Sequence, residues 1–234
     1  MKIAGLQKMT LLDFPGRVAC TIFLDGCNFR CPFCHNTPLL EGKARPALSE
    51  EELFAFLRKR TGILDGVCVT GGEPTLQKEL PEFLRKIKDL GYAVKLDTNG
   101  YRPEVLRSVV EQGLVDYVAM DIKNSPDRYS ETAGVPIDLK KIEQSIQYLV
   151  SEKVDYEFRT TVVKPLHDTQ SIYDMVQWLQ KTTGGKLVKA HYLQAFAMRD
   201  TVCFSGLSAP SAETLEVYKN LLVHVAKTVD LRGV

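Results

Sequence analysis

The chain has 234 residues, of which 44% are hydrophobic and 25% are charged, and its formal net charge at pH 7 is +1. This composition is typical of a soluble globular protein with one large core, and the balanced charge gives no electrostatic reason to expect binding to nucleic acid or to a membrane. We recognise no signal peptide and no membrane span, so the six cysteines favour a reducing cytoplasm.

Apolar strand-like runs alternate with helical patterns along the whole chain. Strands are predicted at 18–24, 66–70, 92–97, 114–122, 154–163 and 187–195. Helices are predicted from Ser49, with Glu52 completing a capping box, and then at 79–90, 103–113, 138–152, 169–182 and 211–229.

The order of these elements predicts the fold class. Six consecutive βα units favour an α/β fold with a parallel sheet, and right-handed crossovers would curl it into an incomplete (β/α)6 barrel of the TIM type, open on one side. No linker or repeat interrupts the pattern, so one domain is expected over residues 1–234. A doubly wound sheet is the alternative, because periodicity does not distinguish the two topologies.

A loop with three cysteines follows the first predicted strand. Cys27, Cys31 and Cys34 are separated by three and then two residues. A structural zinc site or a ferredoxin-type cluster takes four protein ligands, so a four-iron cluster held by these three thiolates would keep one iron open for chemistry. Zinc bound with His35 as the fourth ligand is the less favoured alternative, because adjacent residues rarely both reach one metal ion.

The other three cysteines are isolated in the sequence. Cys20 and Cys68 lie in apolar runs and are expected to be small core residues. We assign no role to Cys203, and nothing suggests the secretion that a disulfide framework would require.

Polar motifs occur where later predicted strands end, the position of the active site in parallel barrels. Glycines allow the backbone to approach a small ligand, and a carboxylate beside them can accept hydrogen bonds from an ammonium group. The motifs are Gly71-Gly72-Glu73-Pro74, Asp97-Thr98-Asn99-Gly100, Asp121-Ile122-Lys123 and, inside the fifth strand, Arg159.

Each motif alone also has a purely structural interpretation. Gly-Gly-Glu-Pro and Asn-Gly are typical of turns. Asp121 and Lys123 alternate along a strand and so face the same side, where they could form an ion pair without further function.

Taken together, the motifs resemble those of radical S-adenosylmethionine (SAM) enzymes, and more closely those of the glycyl-radical-enzyme activating enzymes. The resemblance covers residues from about 5 to 165. The opening, 5–16, is most similar to the anaerobic ribonucleoside-triphosphate reductase activating proteins. The matching segments are Asp13-Phe14-Pro15-Gly16, the cysteine loop with its Cys34-His35-Asn36 ending, Gly-Gly-Glu-Pro, Asp-Thr-Asn-Gly and Met120-Asp121-Ile122-Lys123.

The resemblance implies a role for each candidate residue. Cys27, Cys31 and Cys34 would hold a 4Fe-4S cluster whose open iron binds SAM. A monovalent cation would be held by Asp97, Thr98, Asp121 and a carbonyl near Ala119, and the partner's glycyl loop would touch Asp13 and His35. The implied SAM-binding residues are Phe33, Asn36, Gly71, Gly72, Glu73, Thr98, Lys123 and Arg159.

The resemblance also implies a reaction. An electron from flavodoxin or ferredoxin would cleave SAM, and the resulting 5′-deoxyadenosyl radical would take a hydrogen atom from a glycine of the partner. An anaerobic ribonucleotide reductase is the expected partner, with pyruvate formate-lyase as an alternative. A small-molecule enzyme similar to 7-carboxy-7-deazaguanine synthase, or a non-catalytic metal-binding or electron-transfer module, would be a different function.

The chain departs from the family pattern after the sixth strand. Relatives carry a histidine there, but residues 194–198 contain none, and His191 lies earlier in the strand. The sequence therefore does not identify the residue that would contact the adenine or ribose from this side.

Overall fold

The computed structural model of the protein describes residues 1–233. In this range, the strands are β1 (Ile3–Thr10), β2 (Ala19–Leu24), β3 (Gly66–Gly71), β4 (Ala93–Thr98), β5 (Tyr117–Asp121), β6 (Asp155–Val162), β7 (Val188–Ala195) and β8 (Ala226–Arg232). The α-helices are α1 (Glu50–Arg60), α2 (Leu80–Asp89), α3 (Pro103–Glu111), α4 (Pro126–Ala133), α5 (Leu139–Leu149), α6 (Thr169–Thr182) and α7 (Ala212–Leu222).

The strands follow one another in the sheet in chain order, from β1 to β8, over the described residues. β1 pairs with β2 in antiparallel fashion, whereas β2–β3, β3–β4, β6–β7 and β7–β8 are parallel pairs. The βα units from β2 to α7 confirm the predicted fold class, an incomplete (β/α)6 barrel with β1 and β8 as the end strands of the order. The doubly wound alternative is wrong, because that topology reverses its strand order at a switch point.

The start of α1 follows the capping box that the sequence predicts. The Ser49 side chain accepts a hydrogen bond from the Glu52 amide at 3.1 Å, and the Glu52 carboxylate accepts one from the Ser49 amide at 2.7 Å. Two amides that the helix itself leaves without partners are thereby satisfied.

The end of the chain differs from the sequence prediction. The helix predicted at 211–229 ends at Leu222, and the segment Ala226–Arg232 is strand β8. Buried residues continue at helical spacing from Leu215 through Leu222 to Val225, so periodicity gave no sign of the boundary. Parallel pairing of β8 with β7 decides the conformation, and β1 and α4 were also missed.

The chain divides into two compact units. Unit 1 comprises Met1–Asn28, Pro38–Ala119 and Lys153–Asp155, and unit 2 comprises Phe29–Thr37, Met120–Glu152 and the chain from Tyr156 onward. The single domain expected over residues 1–234 stays a prediction.

Each unit has its own buried core. In unit 1, Cys20 and Cys68 are fully buried, as predicted, among residues such as Ile22 and Val67. In unit 2, Trp178 packs edge-on against Tyr129, with ring centroids 5.9 Å apart. No helix in the described range 1–233 is both long and apolar enough to span a membrane.

Unit 2 also fixes its last strand with an ion pair between a half-buried arginine and a buried glutamate. Both guanidinium nitrogens of Arg232, on β8, bind the Glu157 carboxylate of β6, at 2.7 and 2.9 Å. The guanidinium also stacks 3.6 Å from the centre of the Tyr192 ring. A bidentate pair of this kind links strands on both sides of β7.

Candidate active site

The two glycines after β3 contact the backbone that leads into the cysteine loop. A Cβ atom on Gly71 would lie 2.2 Å from the Leu24 nitrogen, and one on Gly72 would lie 2.1 Å from the Gly26 oxygen. The Gly72 and Glu73 amides also donate hydrogen bonds to the Leu24 and Gly26 carbonyls, at 2.8 and 2.7 Å. The glycines are therefore needed to place the start of the cysteine loop, and their predicted contact with SAM stays a prediction.

Glu73 joins the end of β3 to the end of β4. One carboxylate oxygen accepts hydrogen bonds from the Thr75 amide (3.1 Å), the Thr75 hydroxyl (2.5 Å) and the Thr98 hydroxyl (2.8 Å). The other oxygen accepts one from the Asn99 amide at 2.7 Å, and the side chain is almost fully buried. Burial raises the pKa of Glu73, although the hydrogen bonds to the carboxylate act in the opposite direction.

The Asp-Thr-Asn-Gly motif makes a second contact with the cysteine loop. The Asn99 side chain donates a hydrogen bond of 2.8 Å to the side chain of Asn28, the residue that directly follows Cys27. The sequence placed Asn99 in a motif at a strand end, with a turn as the structural alternative, and gave it no role of its own. Its position after a strand end was the one available signal, because a partner 71 residues away cannot be read from local sequence.

A buried lysine that the sequence analysis did not select lies before this motif. Lys95, on β4, forms an ion pair with Asp97, and its side chain is only 2% exposed. Its ammonium also lies 3.8 Å from the Cys68 sulfur. Asp97 therefore has a protein cation beside it, where the resemblance implied a bound monovalent cation.

Asp13 lies before β2, in the segment expected to touch a partner protein. Its carboxylate accepts a hydrogen bond from the Thr21 hydroxyl at 2.5 Å, which fixes its position. The side chains of Leu11 and Leu12 just before it are 69% and 88% exposed. The contact between Asp13 and a glycyl loop stays a prediction.

The second half of the cysteine loop belongs to unit 2. The Cys34 amide donates to the Cys31 carbonyl at 3.1 Å, so these two cysteines share one tight turn. Burial raises the pKa of both thiols, and therefore both are protonated at neutral pH without a metal. Soft thiolate ligands suit an iron–sulfur cluster, which would have to displace these protons on binding.

The end of α4 holds this half of the loop in place. The Arg30 amide donates to the Ala133 carbonyl at 2.8 Å, and a Cβ atom on Gly134 would lie 2.0 Å from the Arg30 oxygen. Gly134 has the left-handed conformation (φ 69°) that ends the helix. Glycine at this position is thus required both by conformation and by space.

Asp121, Lys123 and Arg159 form one charged cluster in unit 2. The Lys123 ammonium lies 2.9 Å from one oxygen of Asp121, and Arg159 lies 3.1 Å from the other. The same ammonium lies 5.9 Å from the centre of the Phe33 ring, inside the cysteine loop. Burial alone would lower the pKa of Lys123, but the Asp121 carboxylate and Cys31 outweigh it and raise that pKa. Asp121 and Lys123 face the same side, as predicted, and the cluster carries one net positive charge.

The chain after β7 covers part of the cysteine loop. The His35 ring nitrogen lies 2.7 Å from the Ala197 carbonyl, and its ring stacks on Phe196 with centroids 5.8 Å apart. The Thr37 hydroxyl also donates a hydrogen bond to the Thr201 carbonyl. Phe196 thus packs against the cysteine loop from the segment in which the family pattern has its histidine.

His191 cannot take the place of that histidine. Its side chain is fully buried, and one ring nitrogen lies 2.9 Å from the Thr160 hydroxyl. A ligand would therefore have no access to it. The Asn36 amide donates a hydrogen bond to the Cys34 sulfur, which favours the thiolate, and the contact of Asn36 with SAM stays a prediction.

No group of three or more His, Cys, Asp or Glu residues is placed to hold a metal ion in the part of the chain from 1 to 233. Cys27 belongs to unit 1, whereas Cys31 and Cys34 belong to unit 2. The assignment of these three cysteines as cluster ligands stays a prediction, and so does the cation site.

Residues 21–179 match the family model described as the radical SAM superfamily, which is more than half of the chain. The chain belongs to the radical SAM superfamily. A 4Fe-4S cluster and SAM are the cofactors of this superfamily. The matched range contains the three cysteines, the Gly-Gly-Glu-Pro motif and the charged cluster around Asp121.

Two relatives extend this result. A protein of Methanocaldococcus jannaschii, provisionally named a glycyl-radical enzyme activating enzyme, is 35% identical over 183 residues, which cover 75% of this chain and 74% of that protein. A protein of Thermococcus kodakarensis, provisionally named a GTP 3′,8-cyclase, is 31% identical over 84% of this chain. The match covers only 64% of the cyclase, so the chain spans less than two thirds of that relative.

A solved structure shares the fold. A domain of a pyruvate-formate lyase-activating enzyme from Bacteroides vulgatus aligns with a TM-score of 0.58 at 19% identity, over 72% of this chain and 99% of that domain. At this level of identity, the likeness concerns the fold alone.

Proposed function

We propose that this radical SAM protein generates a glycyl radical on a partner enzyme, with an anaerobic ribonucleoside-triphosphate reductase as the expected partner. The observation that carries the proposal is the 35% identity to the provisionally named activating enzyme over most of both chains. The Asp-Phe-Pro-Gly segment supports it, because Asp13 is held beside exposed leucines, where a protein partner has access.

Cys27, Cys31 and Cys34 would hold the cluster. Together with SAM, a cluster held there would supply the radical chemistry that removes a hydrogen atom from the glycine Cα, and flavodoxin or ferredoxin would supply the electron. Glycine suits this role because it has no Cβ, so a backbone loop can reach deep into a site.

The protein's part in this reaction is binding and orientation. Lys123 and Arg159 hold Asp121 between them, and the net positive charge of the cluster suits the carboxylate of SAM. Phe33 lies beside Lys123, and its ring would be the apolar contact for the adenine. The Glu73 carboxylate, which its hydrogen bonds hold between β3 and β4, would be the acceptor for the methionyl ammonium.

The test is anaerobic reconstitution of the full chain, followed by incubation with reductant, SAM and candidate glycyl radical enzymes. We expect a glycyl radical signal by electron paramagnetic resonance on the reductase, and none when the partner's radical-bearing glycine is replaced by alanine. SAM cleavage without a radical on any glycyl radical enzyme would contradict the proposal.

Two cysteine variants form a matched pair for this test. Cys31→Ala should lose both bound iron and SAM cleavage, whereas Cys203→Ala should keep both, because Cys203 is exposed and outside the motif. Retained SAM cleavage in Cys31→Ala would contradict the assignment of the cluster. Protein with one zinc and no iron would instead indicate a non-catalytic metal-binding module.

A small-molecule radical SAM enzyme is the second candidate, favoured by the similarity to the provisionally named cyclase over 84% of this chain. The same reconstituted protein would then convert GTP, or the substrate of a 7-carboxy-7-deazaguanine synthase, to a new product detectable by mass spectrometry. We expect no such product from the activating enzyme.

A further inference from the structure

Lys95 is a charged residue held almost entirely away from water. Its side chain is 2% exposed, and that of its partner Asp97 is 13% exposed. Transferring an ammonium or a carboxylate from water into a protein costs several kcal/mol unless an opposite charge is close. The Lys95 ammonium therefore depends on the carboxylate of Asp97.

The surroundings of the ammonium offer little other compensation. Thr21, Cys68 and Lys95 occupy the same register position on β2, β3 and β4, so their side chains share one face. The Cys68 thiol is a weak acceptor at 3.8 Å, and the Thr21 hydroxyl donates to Asp13. Asp97 is thus the charged partner that stabilises the ammonium within unit 1.

An alkali cation and a lysine ammonium carry the same charge and both contact carboxylate oxygen. A free ion must be captured from solution, whereas Lys95 is covalently attached two residues from Asp97 on the same strand face. The attached group has the advantage of an intramolecular contact, which needs no free ion.

We propose that the Lys95 ammonium is an internal counter-ion that takes the place of an exchangeable monovalent cation at Asp97. In unit 2, considered by itself, Asp121 is neutralised in the same way by Lys123 and Arg159. Lys95 is a positioning residue: it holds Asp97, and through it the Asp-Thr-Asn-Gly segment at the end of β4. The chain consequently folds and works without sodium or potassium.

The test compares thermal unfolding of the full chain in sodium, potassium and choline chloride at equal ionic strength. For the unmodified protein, the midpoints should agree within about 1 °C. Lys95→Met should lower the midpoint in choline by at least about 6 °C, as expected for a broken buried pair. Sodium or potassium should restore about 3 °C or more, because a free ion can now occupy the place of the ammonium.

A surface lysine gives the matched control. Lys88 is paired with Asp116 at 2.8 Å but is 29% exposed, so Lys88→Met should shift the midpoint little and equally in all three salts. A purely structural loss at Lys95 would likewise give the same midpoint in all three salts. That result would overturn the proposal.

A second variant covers the case in which Lys95→Met does not fold. The double variant Lys95→Met with Asp97→Asn removes both charges, so it should fold and show no difference between salts. A specific sodium or potassium effect in the double variant would overturn the proposal, and so would saturable broadening of the ²³Na resonance by the unmodified protein. These readouts do not involve SAM, so they are independent of the glycyl radical assay.

Discussion

Unit 1 and unit 2 each contain a lysine and an aspartate two residues apart at a strand end, but the two pairs differ in exposure and in partners. The side chains of Lys95 and Asp97 are 2% and 13% exposed and neutralise each other. Those of Lys123 and Asp121 are 14% and 31% exposed, and Arg159 adds a second positive charge. The same spacing therefore produces a closed neutral pair in one unit and a more open, positive cluster in the other.

This difference separates a structural role from a binding role. Spacing predicts that two side chains share a face, but only burial and further partners decide whether their charge is available to a ligand. The cluster in unit 2 has charge left to attract an anionic group such as a carboxylate, whereas the pair in unit 1 has none. Variants of the two pairs should separate stability from binding.

The largest effect is expected from Asp97→Asn. It leaves the Lys95 ammonium buried without an anion, so the free energy of unfolding should fall by about 3–5 kcal/mol. Urea unfolding followed by circular dichroism measures this change. Glu104→Gln, at an exposed ion pair with Arg102, should cost less than about 1 kcal/mol. A loss at Asp97 as small as that of the control would remove the contrast between the pairs.

An effect of intermediate size on stability is expected at His191, a buried titratable group with no charged partner. Burial lowers its pKa to about 3, whereas the unfolded chain has the ordinary value near 6.5. Between these values, the unfolded state binds more protons, so stability should fall as the pH falls, by about 1.4 kcal/mol per pH unit. From pH 7 to pH 5, the loss due to His191 is about 2 kcal/mol.

His191→Gln should remove this part of the pH dependence, as measured by urea unfolding at pH 7, 6 and 5. Burial also lowers the pKa of His167, and the contribution of His167 to the pH dependence of stability remains in the variant. His224→Gln, at an exposed position, is the control for the substitution itself. An equal slope in His191→Gln and the unmodified protein would mean that the ring becomes protonated in the folded state.

The smallest effect on stability is expected from Lys123→Met. Asp121 retains Arg159, so unfolding should change by less than about 1 kcal/mol. The dissociation constant of SAM for the reconstituted protein should nevertheless rise about tenfold, equal to about 1.4 kcal/mol. Equilibrium dialysis with labelled SAM measures it. Unchanged affinity would assign Lys123 the same structural role as Lys95.

Local patterns predicted much of this molecule. The capping box at Ser49, the βα alternation and the shared face of Asp121 and Lys123 depend on neighbours within a few residues, and the structure confirms them. The boundary between α7 and β8 was missed because strand pairing overrides a helical pattern of buried residues. Periodicity does not report such pairing.

The site shows the same limit. Two of the four hydrogen bonds of Glu73, to Thr98 and Asn99, and the contact of Asn99 with Asn28 join segments that are 25 to 71 residues apart. The sequence selected Glu73 for a ligand contact, and its links to β4 became visible only in the fold. Lys95 was overlooked although Asp97 lies two residues away on the same strand, because only the fold shows that both side chains are buried.

The close approach of Gly72 to the Gly26 carbonyl limits how this protein can be redesigned. Loops usually tolerate exchange more readily than the strands they connect. Here, two successive loops touch through bare backbone, and no side chain fits between them. A chimaera that takes its cysteine loop from another protein should therefore also take the turn after β3 from that protein, because the two segments fit together only as a pair.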